Sequence, residues 1–192
     1  MATWFAKLER ALLPGLMALA LWAGAPAPVA AQGVELPVIA AHRDRLEAGA
    51  VVLDAVVNVT LSKAVEDALR RGVPVYFIAQ ATVYRPRWYW RDEKVSRVAR
   101  SWRLSFQPLT SAWRVSIGGF SQSYASLEEA MTAVTRLAHW KIAEAGSVED
   151  NEHYYVEFSY LLDASQLPRP MQLDLAAQAE WHLGVERTLK VE

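Results

Sequence analysis

Val75-Tyr76-Phe77-Ile78-Ala79-Gln80-Ala81-Thr82-Val83-Tyr84, continuing as Arg85-Pro86-Arg87-Trp88-Tyr89-Trp90-Arg91-Asp92, is the stretch that decides the fold. Val75, Phe77, Ala79, Ala81 and Val83 alternate with Tyr76, Ile78, Gln80, Thr82 and Tyr84, which is the period of a strand with one apolar face. The alternation predicts an extended segment from Val73 to Arg91, and Asp92-Glu93-Lys94 then turns the chain. The return strand is expected over Val95–Gln107, with Val98, Trp102, Leu104 and Phe106 on one face and Arg100 interrupting it. Pro108–Ser111 reads as the next turn, and Trp113, Val115 and Ile117 as a short strand that Gly118-Gly119 loosens.

Upstream, Val38–Arg45 and Ala50–Leu61 read as a hairpin about Glu47-Ala48-Gly49. In its second arm Val51, Leu53, Ala55, Val57, Val59 and Leu61 oppose Asp54, Asn58 and Thr60. Ser62 is placed to cap a helix reaching Arg71, with Gly72 as its left-handed stop. Downstream, Ser126-Leu127-Glu128-Glu129 forms a capping box, and Ala130, Met131, Val134, Leu137 and Ala138 follow at helical spacing. An acidic loop over residues 146–151 precedes a strand from Tyr154 to Leu162. Leu167-Pro168-Arg169-Pro170 is expected to be a stiff connection, because its prolines forbid both helix and central strand. A last strand is expected through Leu173, Leu175, Ala177, Ala179, Trp181 and Leu183. The whole reads as an α+β domain: a mostly antiparallel sheet of about seven strands with two helices, joined by turns too short for parallel crossovers.

The N-terminus is of another kind. Lys7 and Arg10 precede an apolar run over Ala11–Ala25, and Val29-Ala30-Ala31 offers a small-residue cleavage pattern, so residues 1–31 read as a secretory signal peptide. Pro14 and Gly15 interrupt that run, which is too short to serve as a stable transmembrane segment. Residues 32–192, about 160 residues, suffice for a single domain. The chain has no cysteine, so disulfides and thiolate metal sites are excluded, and a bacterial periplasm is the expected compartment. With 20 basic against 21 acidic residues it lacks the basic excess of a nucleic-acid binder.

Several separated motifs are familiar together: Gly72-Val73-Pro74, Arg87-Trp88-Tyr89-Trp90, Arg103-Leu104, Pro108-Leu109-Thr110, Leu127-Glu128-Glu129-Ala130, and Leu162-Asp163 with Leu167-Pro168 and Pro170. They resemble a proteobacterial family of exported proteins known as domain of unknown function 4390. The resemblance implies a signal-bearing envelope protein and carries over no catalytic residue.

No residue pattern states a reaction. His42, His139, His153 and His182 show no i, i+3 or i+4 relation to one another, so no metal motif results. The chain contains no Gly-x-Ser-x-Gly elbow and no phosphate-cradling glycine loop, and no cofactor is implied. The candidate binding residues are Arg85, Arg87, Trp88, Tyr89, Trp90 and Arg91, with Arg103 and Trp113 as neighbours. Arginine and aromatic side chains supply most of the energy at protein interfaces and also suit sugars and anions. If the segment stays extended, Arg85, Arg87, Tyr89 and Arg91 share one face and Pro86, Trp88 and Trp90 the other. The competing reading packs Trp88 and Trp90 into the core near Trp102. The expectation is a non-enzymatic periplasmic module that binds an envelope protein or glycan through this strand. The alternative is a small envelope hydrolase or transferase using His42 or His182 as base with a carboxylate to orient it.

Overall fold

The computed structural model describes residues 33–45, 49–149, 151–167 and 181–192. The signal-like residues 1–31 and most of the expected last strand, including Leu173–Ala179, therefore lie outside the described residues. In chain order the elements are β1 (Val34–Arg43), β2 (Val51–Val59), α1 (Lys63–Arg70), β3 (Val75–Arg85), β4 (Glu93–Gln107), β5 (Ala112–Ile117), β6 (Phe120–Tyr124), α2 (Leu127–Thr135), β7 (Arg136–Ala143), β8 (Tyr155–Leu162) and β9 (Gly184–Lys190).

Strand β3 is the axis of the molecule because its alternate residues cannot be left in water: Val75, Phe77, Ala79, Ala81 and Val83 are all fully buried. It is hydrogen-bonded on both sides, by β4 and by β8, within a six-stranded sheet ordered β6-β5-β4-β3-β8-β9. A second sheet, β1-β2-β7, faces it, and the ladders in both are antiparallel. The sheets join where the chain ends: Ala41 and Val191 form a parallel bridge, Arg43 N donates to Glu192 O at 3.0 Å, and Glu192 N donates to Ala41 O at 3.0 Å. At the other side Ser96 Oγ of β4 donates to the Ile142 carbonyl of β7. Between the sheets Leu53, Phe77, Leu104, Leu137, Ile142, Phe158 and Tyr160 form one core. Arg100, which interrupts the apolar pattern of β4, lies with its guanidinium 5.2 Å from the Trp140 ring, and burial lowers its pKa.

The expected α+β class holds, with two helices and nine strands among the described residues. Helix α1 is capped by Ser62, whose hydroxyl accepts from Val65 N at 3.3 Å. It stops in a Schellman motif, with Gly72 at φ +86 and Val73 N donating to Ala68 O.

Two strands escaped the sequence reading. The Gly118-Gly119 turn does not loosen β5 but returns it as β6. The helix expected to run through Ala138 ends at Thr135, and the chain passes directly into β7. Leu137 and Trp140 are both buried three residues apart because β7 carries a bulge between them, with His139 at φ 48. The extra residue reproduces in a strand the spacing of a helix face. The last described strand is Gly184–Lys190, later than expected, and Trp181 and Leu183 are buried just before it.

Candidate functional site

The β3–β4 ladder runs from Val75 opposite Leu104 to Arg85 opposite Glu93, and there it stops. Pro86 has no amide hydrogen with which to continue it. The strand expected to reach Arg91 therefore ends at Arg85, and Pro86–Asp92 forms the hairpin loop, with β4 starting at Glu93. Acid–base pairs brace its neck. Glu93 Oε2 accepts from Arg85 Nη2 at 2.6 Å, from Arg85 Nε at 3.0 Å and from Arg87 Nη2 at 2.5 Å. Arg85 Nη1 also reaches Glu149 Oε1 at 3.2 Å. Asp92 takes Arg87 N at 3.2 Å on one oxygen and the Tyr155 hydroxyl at 2.6 Å on the other. Tyr155 in turn stacks on Tyr84 at 5.2 Å.

These contacts set the electrostatics of the neck. The hydrogen bond from Arg85, then that from Arg87, lowers the Glu93 pKa. The Tyr155 hydroxyl, then the Arg87 amide, lowers that of Asp92. The same bond to Asp92 pushes the Tyr155 phenol up to about 12. All of these groups thus hold their ordinary charge at neutral pH, and the brace is formed.

Beyond the brace the side chains stand in water. Trp88 is 94% exposed, Tyr89 65% and Trp90 73%, and the Trp88 and Tyr89 rings meet edge to face at 5.0 Å. Arg91 is exposed and makes no ion pair with the described residues. Six of the eight candidate residues therefore come together at one hairpin end, with Arg85 and Arg87 as braces and Trp88, Tyr89, Trp90 and Arg91 projecting. The alternate-face arrangement is not met, because the segment is a loop. The reading that packs Trp88 and Trp90 near Trp102 is overturned, since Trp102 lies against Tyr160 instead, at 6.2 Å between rings. Arg103 is exposed but sits ten positions along β4 from Glu93, roughly 30 Å away at strand rise. Trp113 is buried, 4.9 Å from the Phe106 ring, and belongs to the core.

A family model for a domain of unknown function (DUF4390) matches residues 35–190. The chain belongs to this family. No curated protein and no solved structure matches it. The DUF4390 match begins in β1 and ends in β9, so both sheets and the hairpin tip lie within the family's domain.

A histidine–carboxylate pairing of the kind sought at His42 or His182 is present at His139 in this DUF4390 protein. His139 Nε2 lies 3.0 Å from the buried carboxylate of Asp44, and His139 N donates to Asp54 Oδ1 at 2.8 Å. His42 Nδ1 is 3.8 Å from Asp54 Oδ2, beyond hydrogen-bond reach. The residues meet because the β7 bulge turns His139 toward the β1–β2 hairpin, and no local signal links positions 95 residues apart. His42, Asp44, Asp54 and His139 line neither of two cavities of the fold, whereas His182 lines the larger one. One, of about 930 Å³, opens between the start of β1 and the β8–β9 pair and is floored by Tyr160, Trp181 and Leu183. The other, of about 680 Å³, lies between β2 and α2. Among the described residues no three His, Asp or Glu side chains are grouped to hold a metal.

Proposed function

We propose that this DUF4390 protein is an exported module of the bacterial envelope that works by binding, and that the β3–β4 hairpin tip is its binding element. The observation behind this reading is the exposure of Trp88, Tyr89 and Trp90 at the end of a hairpin whose neck is braced. A bare indole gains nothing for the fold, whereas covering it on a partner removes large apolar area from water. The brace adds preorganisation, since a tip already held in place loses less freedom when it binds. Export is supported by the signal-like pattern of residues 1–31, and an oxidising periplasm suits a chain without cysteine.

The test is a comparison of species crosslinked to the wild type and to a Trp88→Ala, Trp90→Ala variant, each produced in the envelope and shown by circular dichroism to be folded. The reading expects at least one species captured by the wild type and lost from the variant. Identical captures would remove the tip from consideration.

A further inference from the structure

We infer that the envelope component met by the hairpin tip is the anionic lipid surface itself, into whose headgroup region Trp88, Tyr89 and Trp90 insert. This inference rests on the binding role proposed above and names its partner. Three observations favour a fluid interface over a shaped pocket. First, three consecutive side chains are exposed, and the Trp88 and Tyr89 rings meet edge to face with their planes 71° apart, so these two rings form no single flat face. A protein partner must match that shape with a cavity, whereas a bilayer interface needs no matching shape. Second, indole and phenol are the side chains that combine an apolar body with a polar edge, which suits the boundary between acyl chains and water.

Third, the charge around the tip is divided. The acids Asp92, Glu93 and Glu149 are engaged at the neck by Tyr155, Arg85 and Arg87. The exposed cation Arg91 adjoins the rings in sequence and the exposed Lys94 lies just past the neck, opposite Tyr84, neither with an ion pair to the described residues. These two unpaired cations are the groups available to phosphate-bearing headgroups. The other large exposed apolar side chains stand apart from it: Leu109 lies in the turn at the far end of β4, roughly 45 Å away at strand rise. The hairpin can thus enter an interface alone, as a peripheral anchor. Among the described residues no helix is long and apolar enough to cross a membrane, and the anchor needs none.

The absence of cysteine gives a direct test, because Tyr89→Cys and Leu109→Cys each place one environment-sensitive fluorophore at a known end of the domain. Purified residues 32–192 are mixed with vesicles of phosphatidylcholine, or of phosphatidylcholine with phosphatidylglycerol. The label at position 89 is expected to shift blue and resist iodide quenching on the anionic vesicles, and the label at 109 to stay in water. In sedimentation, the unlabelled Trp88→Ala, Trp90→Ala variant should lose at least about tenfold in partitioning. Arg91→Gln with Lys94→Gln should lose about fivefold per charge on anionic vesicles and little on neutral ones. If the wild type binds neither vesicle, the lipid inference falls. The binding role then survives only if crosslinking still captures a protein or glycan that the double tryptophan variant loses. If that variant sediments as fully as the wild type, the tip is no lipid anchor and the lipid inference falls, while the crosslinking comparison still decides the binding role.

Discussion

The exposure of the tip makes a sharp prediction about stability, because the tryptophans of the described domain divide into two kinds. Trp102, Trp113, Trp140 and Trp181 are buried, while Trp88 and Trp90 stand 94% and 73% in water. A tryptophan has about 200 Å² to bury, and each Å² removed from water contributes about 25 cal/mol. Trp88 keeps only about 12 Å² from water, so Trp88→Ala should cost about 0.3 kcal/mol. Trp90, about a quarter covered, sets an upper bound of about 1.3 kcal/mol. Trp181, 1% exposed, stands at about 5 kcal/mol, in the range seen when a buried aromatic becomes alanine. The assay is urea unfolding followed by far-ultraviolet circular dichroism. With a slope of about 2 kcal/mol per molar, Trp181→Ala should lower the midpoint by about 2.5 M and Trp88→Ala by less than about 0.2 M. A domain of this size holds about 5–15 kcal/mol in all, so Trp181→Ala should stand at the edge of folding. A Trp88→Ala midpoint lower by about 1 M would refute the reasoning, since it would mean that the ring is packed and the tip is part of the body.

The brace predicts a pH response. The folded pKa values of Asp92 and Glu93 are lowered from 3.8 and 4.5, so their contribution is complete above those values and is lost as pH falls through the folded ones. Tryptophan emission from the tip should therefore change only in acid, below those ordinary carboxylate values, and Asp92→Asn with Glu93→Gln should abolish the step. In an absorbance titration one tyrosine, Tyr155, should ionise near 12, and Asp92→Asn should bring it back toward 10. At the β7 bulge, Asp54→Ala removes the acceptor that holds His139 N at φ 48 and should cost about 1 kcal/mol in urea unfolding.

What the sequence disclosed followed the strength of its local patterns. Val75–Val83 was legible because five apolar side chains at a period of two have one way to leave water together. The two caps at Ser62 and Ser126 were legible because a hydroxyl at the first turn is a local contact. β7 was not, because a bulge lets Leu137 and Trp140 face inward at a spacing that also describes a helix. The tip was half legible: its residues were singled out by composition, yet an alternating pattern was carried past Pro86, where the ladder loses its donor. Trp113 shares the inward face of β5 with Val115, two residues on, and both are buried, so its place in the core follows from the period of two. His139 and Asp44 carry no signal at all, since they meet only when the second sheet forms.

On the binding reading, the hairpin end touches something that the rest of the surface does not. The most direct measurement attaches a photoactivatable crosslinker to Tyr89→Cys, and separately to Leu109→Cys, and irradiates the protein in its own envelope. A covalent adduct, whether lipid, protein or glycan, should form from position 89 and not from 109, and should disappear when Trp88 and Trp90 are both alanine. Equal yields from the two positions, or an adduct that survives the double substitution, would contradict it.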